Sequence, residues 1–256
     1  MTVDAVILAG GDGAVIDPAV QVKGLVAIAG RPMVEWVIDA MRAATTVSGI
    51  AVVVPTATGL GKWVDEVDEV VISDGRFADN VVAGIDAFGG RRAVVIATAD
   101  LPALTPEAVD AFVTSFENAD AELAYPLIFQ KVMEEGFPGS QRTYIKIKAG
   151  RVTGGNLTVV TPAMVKKNVE FAQRLFDLRK NPLGLAQAVG VPFVFKLISG
   201  RLELEEAEAR LSELLGGKCA AINIEHACIG ADVDKPIDVI VAERVLYQNE
   251  NRIKVS

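Results

Sequence analysis

The residues that could do chemistry in this sequence begin with a glycine-rich turn and one lysine. A strand-like apolar run, Val3 to Leu8, is followed by Gly10-Gly11-Asp12-Gly13, and Lys23 is the first basic residue after it. Backbone N–H groups without a neighbouring Cβ can approach phosphate oxygens closely, so such a turn after a first strand is typical of nucleotide sites. A purely structural turn with a solvated lysine is the other interpretation, because glycine turns are common.

The turn fits neither of the two best-known glycine fingerprints. A dinucleotide-binding turn needs G-x-G-x-x-G, and Ile16 stands at the third glycine position when the count starts at Gly11. A P-loop needs G-x-x-x-x-G-K-[ST], whereas here Lys23 precedes Gly24 and no Ser or Thr follows. The sequence therefore excludes both of these phosphate-binding motifs.

The elements that must position these residues alternate between apolar runs and helical patterns. Strands are predicted at VDAVIL, GIAVVVP, VVISDG, RRAVVIATADLP, AELAYPLI and CAAINI. Helices are predicted at RPMVEWVIDAMRAA, ADNVVAGIDAF and TPEAVDAFVTSFENA, the last with Thr105 as its N-cap. This order predicts an α/β fold with a doubly wound, mostly parallel sheet between helical layers.

Asp100 is the second polar feature of interest, at the end of the fourth predicted strand. Ligands of doubly wound sheets bind outside the carboxyl ends of the strands, and the glycine turn and Asp100 both fall at that edge. Asp100 before Leu101-Pro102 could also simply cap a turn. The strand order alone thus predicts a ligand site that includes Asp100.

Composition excludes several classes of function. The formal charge of −8 argues against nucleic acid or an anionic membrane surface as a partner. Apolar runs are too short to span a membrane, and no signal peptide is recognisable. Two cysteines without a CxxC motif indicate a reduced, cytoplasmic protein, and the single histidine, His226, has too few neighbouring ligands for a zinc site.

The stretch VILAGG…K…L..I.GRPM resembles the signature of the MobA-like NTP transferase family, which has a GT-A-like fold. The resemblance implies that Lys23 contacts the nucleotide phosphates and that a loop wraps around these phosphates. The loop consists of Leu8, Ala9, Gly10, Gly11, Asp12 and Gly13. Three later segments also resemble the family, namely VVIATADLPALTPEAVDAF, GGNLTVVTPAMV and GADVDKPIDVIVAE. The similarity spans nearly the whole chain.

The resemblance also implies a magnesium site and two asparagine contacts. Asp100 corresponds to the family's metal-binding aspartate, and Asp234 is favoured as the second ligand, with Asp232 as the alternative. Asn156 is the candidate for contact with the acceptor, and Asn80 or Asp79 could contact an edge of the nucleobase. Catalysis would rest on Lys23, Asp100 and Asp234. Mg²⁺ would bind the carboxylates of Asp100 and Asp234, because it is a hard cation that prefers oxygen ligands.

One departure from the family pattern concerns the loop itself. The family usually has a basic residue in LAGGxSxRMG, whereas GDGAVIDPAVQ has none before Lys23, and Asp12 stands where a small residue is usual. Either another basic residue compensates, or the donor is held differently, or activity is weak. A nucleotide-binding protein without catalysis and a glycosyltransferase that uses a nucleotide-sugar are therefore alternatives.

The expected reaction is transfer of NMP from an NTP to an anionic small-molecule acceptor, with release of pyrophosphate. An acceptor phosphate needs no general base, so the scarcity of histidine is no objection. An insertion carries the candidate acceptor contacts, since alternation in a strand would place four of its residues on one face: Arg142, Tyr144, Lys146 and Lys148. That face could equally be solvated.

Residues 1–256 are expected to form one domain, as a monomer or homodimer. An insertion is predicted at about 126–160, and helical elements at about 161–215 are expected to form the acceptor side. The segment 162–180 is predicted as one helix with Arg179 and Lys180 near its end, and further helices are predicted over 182–190 and before Gly216-Gly217.

Overall fold

The computed structural model describes residues 1–178, 184 and 188–253, with side chains described as far as residue 249. Within this part of the chain, nine strands form one sheet in the order β5-β4-β1-β6-β10-β7-β9-β8, and β11 pairs with the other edge of β7. A separate hairpin joins β2 and β3. Arg179, Lys180 and most of the helix expected over 182–190 lie outside the described residues.

The strands are β1 (Val3–Leu8), β2 (Ala27–Ile28), β3 (Arg31–Pro32), β4 (Val47–Val54), β5 (Glu69–Ile72), β6 (Val94–Thr98), β7 (Leu123–Phe129), β8 (Ile145–Ile147), β9 (Gly150–Gly154), β10 (Leu157–Val160) and β11 (Cys219–Asn223). The helices are α1 (Met33–Ala43), α2 (Phe77–Ala87), α3 (Pro106–Ala119), α4 (Gln130–Gly136), α5 (Pro162–Lys167), α6 (Val169–Leu178), α7 (Val191–Ile198), α8 (Leu204–Leu215) and α9 (Pro236–Ile253).

The strand directions confirm the predicted fold class. Strands β5, β4, β1 and β6 are parallel neighbours, and β7 and β11 are parallel to each other. Strand β10 lies antiparallel between β6 and β7, so β6 and β7 point the same way. The carboxyl ends of the parallel strands therefore meet at one edge of the sheet.

Helices cover both faces of the sheet. One core cluster packs α1 and α3 against the sheet and includes the fully buried Trp63 and Phe112. The second cluster packs α2 and α5 on the opposite face, around Val6 and Ile85. Helix α2 approaches the sheet closely at Gly84, where a Cβ would lie 2.4 Å from Val6 Cγ1. The strands are buried on both faces, which explains their continuous apolar runs.

Two predicted elements differ from the structure. The helix expected over 162–180 is interrupted at Asn168, whose side chain donates to the carbonyl oxygens of Met164 and Leu215. The strand expected to carry residues 142–148 is only three residues long, because its pairing with β9 covers Ile145 to Ile147 alone. The sequence pattern also missed α4, α7 and the hairpin of β2 and β3.

No helix in the described part of the chain combines the length and the apolar character needed to cross a membrane.

Candidate functional site

The glycine-rich loop after β1 folds back on itself and delivers Lys23 to the sheet edge. The Lys23 N–H donates to Gly11 O at 3.0 Å, and the Gly13 N–H donates to Gln21 O at 2.8 Å. Gly11 has φ +92°, a left-handed conformation that favours glycine. These bonds hold Lys23 beside the turn although it lies twelve positions after Gly11.

Three glycines of this region have different surroundings. A Cβ on Gly13 would lie 2.5 Å from Val20 O, so glycine is required there for the loop to close. Gly24 passes between two small side chains, and its Cβ would lie 3.0 Å from the Cβ of Ala99 and 3.1 Å from that of Ala9. Gly10 has no atom within 4 Å of its Cβ position, so its backbone is open to a ligand.

Asp100 lies where the sequence predicts it, just beyond the carboxyl end of β6. The Ala99 N–H donates to Leu8 O at 3.0 Å and so joins the end of β1 to the start of the Asp100 turn. Thr98 Oγ1 donates to Asp100 Oδ1 at 2.5 Å, and Lys23 Nζ donates to Asp100 Oδ2. The Asp100 side chain is 14% exposed, so its carboxylate is held by these two partners.

Asp232 and Asp234 join Asp100 from the segment before α9. The Val233 N–H donates to Asp100 O at 2.9 Å, which fixes this segment against the end of β6. Each of the three aspartates places one carboxylate oxygen within 4.8 Å of the others. The structure thus brings Asp100 together with both of the residues that the sequence offers as a second metal ligand.

Asp238 shapes the turn that presents Asp234. Its carboxylate accepts hydrogen bonds from the N–H groups of Asp234 at 3.1 Å and Lys235 at 3.0 Å. It is buried at the first turn of α9. The sequence interpretation missed this residue, although an aspartate four positions after Asp234 is visible in the sequence.

Lys23 is the internal cation of this acidic cluster. Its Nζ donates to both Asp100 Oδ2 and Asp234 Oδ1, and its side chain is 14% exposed. Burial opposes the charge of Lys23, but the two carboxylates outweigh it and raise its pKa. Burial likewise opposes ionisation of Asp234, yet its bond from Lys23 lowers its pKa. The pair is therefore charged at neutral pH.

Asp232 is the most perturbed carboxyl group of the cluster. Burial raises its pKa to about 6, against the opposing charge of Arg142, and the negative charges of Asp100 and Asp234 add to the rise. Arg142 donates from Nη1 to Asp232 Oδ1 and from Nη2 to Asp232 O. A carboxyl group with a raised pKa, in a cluster of like charges, is typical of a site that binds a cation.

Arg142 therefore lies in the acidic cluster and not on a strand face with Tyr144, Lys146 and Lys148, so the predicted shared face is wrong. Arg142 precedes β8 and turns toward the edge of the sheet, with 11% of its side chain exposed. Its Nε is buried and has no hydrogen-bond partner in the described part of the chain. The cluster thus has a guanidinium group in addition to Lys23.

The other residues of the predicted face lie apart from the cluster. Tyr144 packs against the main core cluster. Lys146 is exposed and lies over Gly200, whose Cβ would lie 2.9 Å from the Lys146 side chain. Lys148 forms an ion pair with Glu203 at the start of α8. The geometry thus brings only Arg142 of these four residues to the acidic cluster.

The two predicted asparagines both lie near the carboxyl edge. Asn156 lies between β9 and β10, where its N–H donates to Ile229 O at 2.9 Å and its carbonyl accepts from the Thr98 N–H at 3.3 Å. The backbone of Asn156 is thereby tied to the Asp100 turn.

Asn80 in α2 organises the loop after β5. Its Oδ1 accepts from Ser73 Oγ at 2.7 Å and from the Gly75 N–H at 3.1 Å, while its Nδ2 donates to Gly75 O at 3.1 Å. Its carboxamide is therefore engaged within the chain, and it shapes this part of the sheet edge.

Comparison with known protein families identifies the family to which the chain belongs. The model of the MobA-like NTP transferase domain matches residues 5–176. The chain belongs to this family. The matched residues include the glycine loop, Lys23 and Asp100, and the resemblance inferred from the sequence is thus confirmed. No curated protein sequence is significantly similar to the chain.

Several solved structures share the fold. A hypothetical transferase from Thermus thermophilus is 36% identical, with a TM-score of 0.82 over 93% of this chain and 100% of that one. The CMP:2-keto-3-deoxy-manno-octonic acid synthetase complexed with CTP is 12% identical, with a TM-score of 0.63 over 97% and 100%. Molybdopterin-guanine dinucleotide biosynthesis protein A from Archaeoglobus fulgidus is 14% identical, with a TM-score of 0.55 over 96% and 99%.

Proposed function

We propose that this protein is a Mg²⁺-dependent nucleotidyltransferase that transfers NMP from an NTP to a phosphorylated small molecule. The acceptor oxygen would form a bond to the α-phosphorus, and the bond from that phosphorus to the bridging oxygen of the leaving pyrophosphate would break. The observation that carries the proposal is the cluster of Asp100, Asp232 and Asp234, with Lys23, beside the open backbone of Gly10. Family membership supports the reaction class.

The donor set of the acidic cluster fits magnesium. All three groups offer carboxylate oxygens, the ligands that Mg²⁺ prefers, and a cation, the Lys23 ammonium, already lies between two of them. Asp100, Asp232 and Asp234 would hold the ion. When bound, Mg²⁺ would neutralise the charge of the triphosphate and template its geometry.

The residues of the chain itself would divide the work of binding. The N–H groups of the loop from Gly10 to Gly13 would contact phosphate oxygens, and Lys23 would exchange its carboxylate partners for them and stabilise charge on the leaving group. Asn156 would contact the acceptor, and Asn80 would shape the nucleobase side of the site.

Arg142 supports activity despite the missing loop arginine. The family's usual basic residue is absent from GDGAVIDPAVQ, but a largely buried guanidinium group lies at the acidic cluster. Arginine offers five donors in a planar fork that suits phosphate oxygens, and the Nε of Arg142 lacks a partner among the described residues. We infer that Arg142 supplies positive charge to bound phosphates.

A single domain is the arrangement that fits this function. All nine strands of the large sheet lie in one continuous hydrogen-bonded array, and the acidic cluster combines residues from both halves of the chain. The segment with β8, β9 and β10 and the helices that follow it would form the acceptor side.

Calorimetry with ATP, CTP, GTP and UTP, each with and without Mg²⁺, tests the proposal. We expect one NTP to bind only with Mg²⁺, and Asp100→Asn to weaken that binding at least tenfold, about 1.4 kcal/mol. Asp65→Asn, an exposed carboxylate outside the cluster, is the matched control and should bind like the parent. No binding of any NTP, or equal binding by Asp100→Asn, would refute the proposal.

A further inference from the structure

An apolar cavity lies between the sheet and the helices α7 and α8. Its volume is about 210 Å³, and its walls come from β7, β8, β11, α7 and α8. Leu127, Ile147, Leu197 and Leu211 are among the lining side chains. A cavity of about 150 Å³ with apolar walls is large enough to hold benzene. This space therefore has room for a short hydrocarbon group.

The polar residues at the wall of the cavity are already paired. Glu208 accepts a hydrogen bond from the Ala221 N–H at 2.8 Å, and Glu203 is paired with Lys148. Their carboxylates are therefore engaged with the chain, and the remaining lining is almost entirely apolar. An uncharged hydrocarbon is the chemistry that this lining would accept, because burial of apolar surface is favourable and unpaired polar groups are costly there.

Tyr125 connects the cavity to the acidic cluster. Its ring lines the cavity, and its hydroxyl group lies over Gly154, where a Cβ would come within 2.2 Å of Tyr125 Oη. Gly154 is two residues before Asn156, whose backbone is bonded to the Asp100 turn. Partial burial of the phenol, together with the negative charge of Asp232, raises the pKa of Tyr125. Tyr125 thus lines the cavity and also lies within electrostatic reach of Asp232.

The rim of the cavity exposes apolar surface on the side of Arg142. Tyr125 and Ile145 each leave 41% of their surface exposed, and Ile145 follows Arg142 by three residues. A charged site and an apolar cavity that are linked through Tyr125 match a ligand with a charged end and an apolar end. Hydrocarbon groups on such a ligand would cover the exposed rim as well as fill the cavity.

We propose that the acceptor is amphiphilic, an anionic small molecule whose phosphate lies at the acidic cluster and whose hydrocarbon part occupies the cavity behind Tyr125. This inference rests on the proposed function for the identity of the ligand as the acceptor. The apolar cavity and the position of Tyr125 between it and Gly154 do not depend on that function.

Binding of alkyl phosphates of increasing length tests the proposal. Methyl, butyl and octyl phosphate, each below its micelle concentration, are titrated into the full-length protein with Mg²⁺. Each methylene that enters the cavity should tighten binding about fourfold, so butyl phosphate should bind roughly 60-fold more tightly than methyl phosphate. Affinities that differ less than twofold across the series would overturn the proposal.

Two variants of α8 locate the hydrocarbon. Ala207→Leu fills the cavity and should remove the dependence on chain length while leaving methyl phosphate binding unchanged. Ala209→Leu places the same side chain on the exposed side of the helix and is the matched control. A chain-length dependence that persists in Ala207→Leu would place the hydrocarbon elsewhere and overturn the proposal.

A third variant keeps the test decisive if Ala207→Leu does not fold. Leu204→Ala enlarges the cavity and should improve octyl phosphate binding relative to butyl phosphate. The sedimentation of all variants is measured in parallel. A change in oligomeric state, together with alkyl phosphate affinities that do not depend on chain length, would assign the cavity to a contact between copies of the chain. That result would refute the proposal.

The same samples separate this inference from the proposed function. NTP binding with Mg²⁺ is measured independently of the alkyl phosphates. If NTP binds and the chain-length series is flat, the inference alone fails. A different result is that no NTP binds, while affinity for alkyl phosphates rises with chain length and Ala207→Leu abolishes the rise. In that case the nucleotidyltransferase proposal fails. The cavity is then still a ligand site, but its ligand is not an acceptor.

Discussion

Gly10 and Gly13 stand three residues apart in one loop and have opposite reasons to be glycine. Gly13 is enclosed by the backbone of Val20, whereas the Cβ position of Gly10 faces open space. A methyl group on Gly10 would therefore contact a bound ligand but no other part of the chain. The contrast separates the structural role of Gly13 from the binding role proposed for Gly10.

Gly10→Ala should leave the melting temperature within about a degree of the parent, because no atom lies within 4 Å of the added Cβ. Its affinity for NTP with Mg²⁺ should fall at least tenfold, since the methyl group blocks the approach of phosphates. Differential scanning calorimetry and NTP titration measure the two effects. Gly13→Ala, by contrast, should lower the melting temperature as well as the affinity for NTP. Unchanged NTP affinity in Gly10→Ala would contradict the assigned loop.

Lys23→Met should weaken NTP binding and strengthen the binding of Mg²⁺ to the acidic cluster in the absence of nucleotide. The variant loses the hydrogen bonds to Asp100 and Asp234, and NTP binding should weaken by about 1.5–3 kcal/mol, as is usual for bonds between charged groups. The carboxylates then lack their internal cation, so 10 mM Mg²⁺ without nucleotide should raise the melting temperature more than in the parent. Lys62→Met, on an exposed lysine, is the control.

At the scale of elements, Asp110 in α3 ties down the turn between α1 and β4. Its carboxylate accepts four hydrogen bonds, from Thr45 N at 3.0 Å, Thr45 Oγ1 at 2.8 Å, Thr46 N at 2.9 Å and Thr46 Oγ1 at 2.6 Å. Burial alone would raise the pKa of Asp110, but the bonds from Thr46 and Thr45 outweigh it and lower the pKa. Ionised Asp110 therefore stabilises the attachment of α3 to the turn between α1 and β4.

Asp110→Asn should lower the free energy of unfolding by about 1–3 kcal/mol at pH 7, because the amide group cannot accept all four bonds. A lowered carboxyl pKa contributes stability that is complete above the ordinary value of about 3.9 and disappears as the pH falls through the lowered value. The difference in unfolding free energy between parent and variant, measured in urea, should thus shrink as the pH falls below about 3.9. A gap that stays constant from pH 7 to pH 3 would contradict this account.

Element prediction succeeded where the local pattern decides the structure. Strands β1, β4 and β6 are continuous apolar runs, and Thr105 accepts the N-cap bond from the Ala108 N–H as expected. The strand through Arg142 was wrong because pairing with β9, not alternation, sets its length. No local pattern indicates that Arg142 would pair with Asp232, ninety positions along the chain.

At the scale of the whole molecule, the candidate site depends on chain segments that meet only in the folded state. Lys23, Asp100 and Asp234 lie on three separate loops. The sequence could place Asp100 at the ligand-binding edge from the order of strands, but the distance from Asp100 to Asp232 and Asp234 depends on the Val233 bond to Asp100 O. Such long-range backbone pairing leaves no local signal.

Ligand binding at such a site should stabilise the whole molecule. At 100 times the dissociation constant, a ligand specific for the folded state adds about 2.7 kcal/mol. For a chain of this size, the melting temperature should rise by roughly 5–10 °C with Mg²⁺ and the cognate NTP together. Each alone should give a much smaller rise. An equal rise in Asp100→Asn, measured by thermal shift, would locate the nucleotide away from the acidic cluster.

The position of β10 has a consequence for the order of synthesis. Its pairing joins β6 to β7, yet it follows both in the chain, so β6 has an open edge from residue 98 until residue 157 has been made. An open edge of an apolar strand can pair with another chain. The growing polypeptide must therefore protect β6 until β10 arrives, and a ribosomal pause between these two strands would favour misassembly over the native sheet.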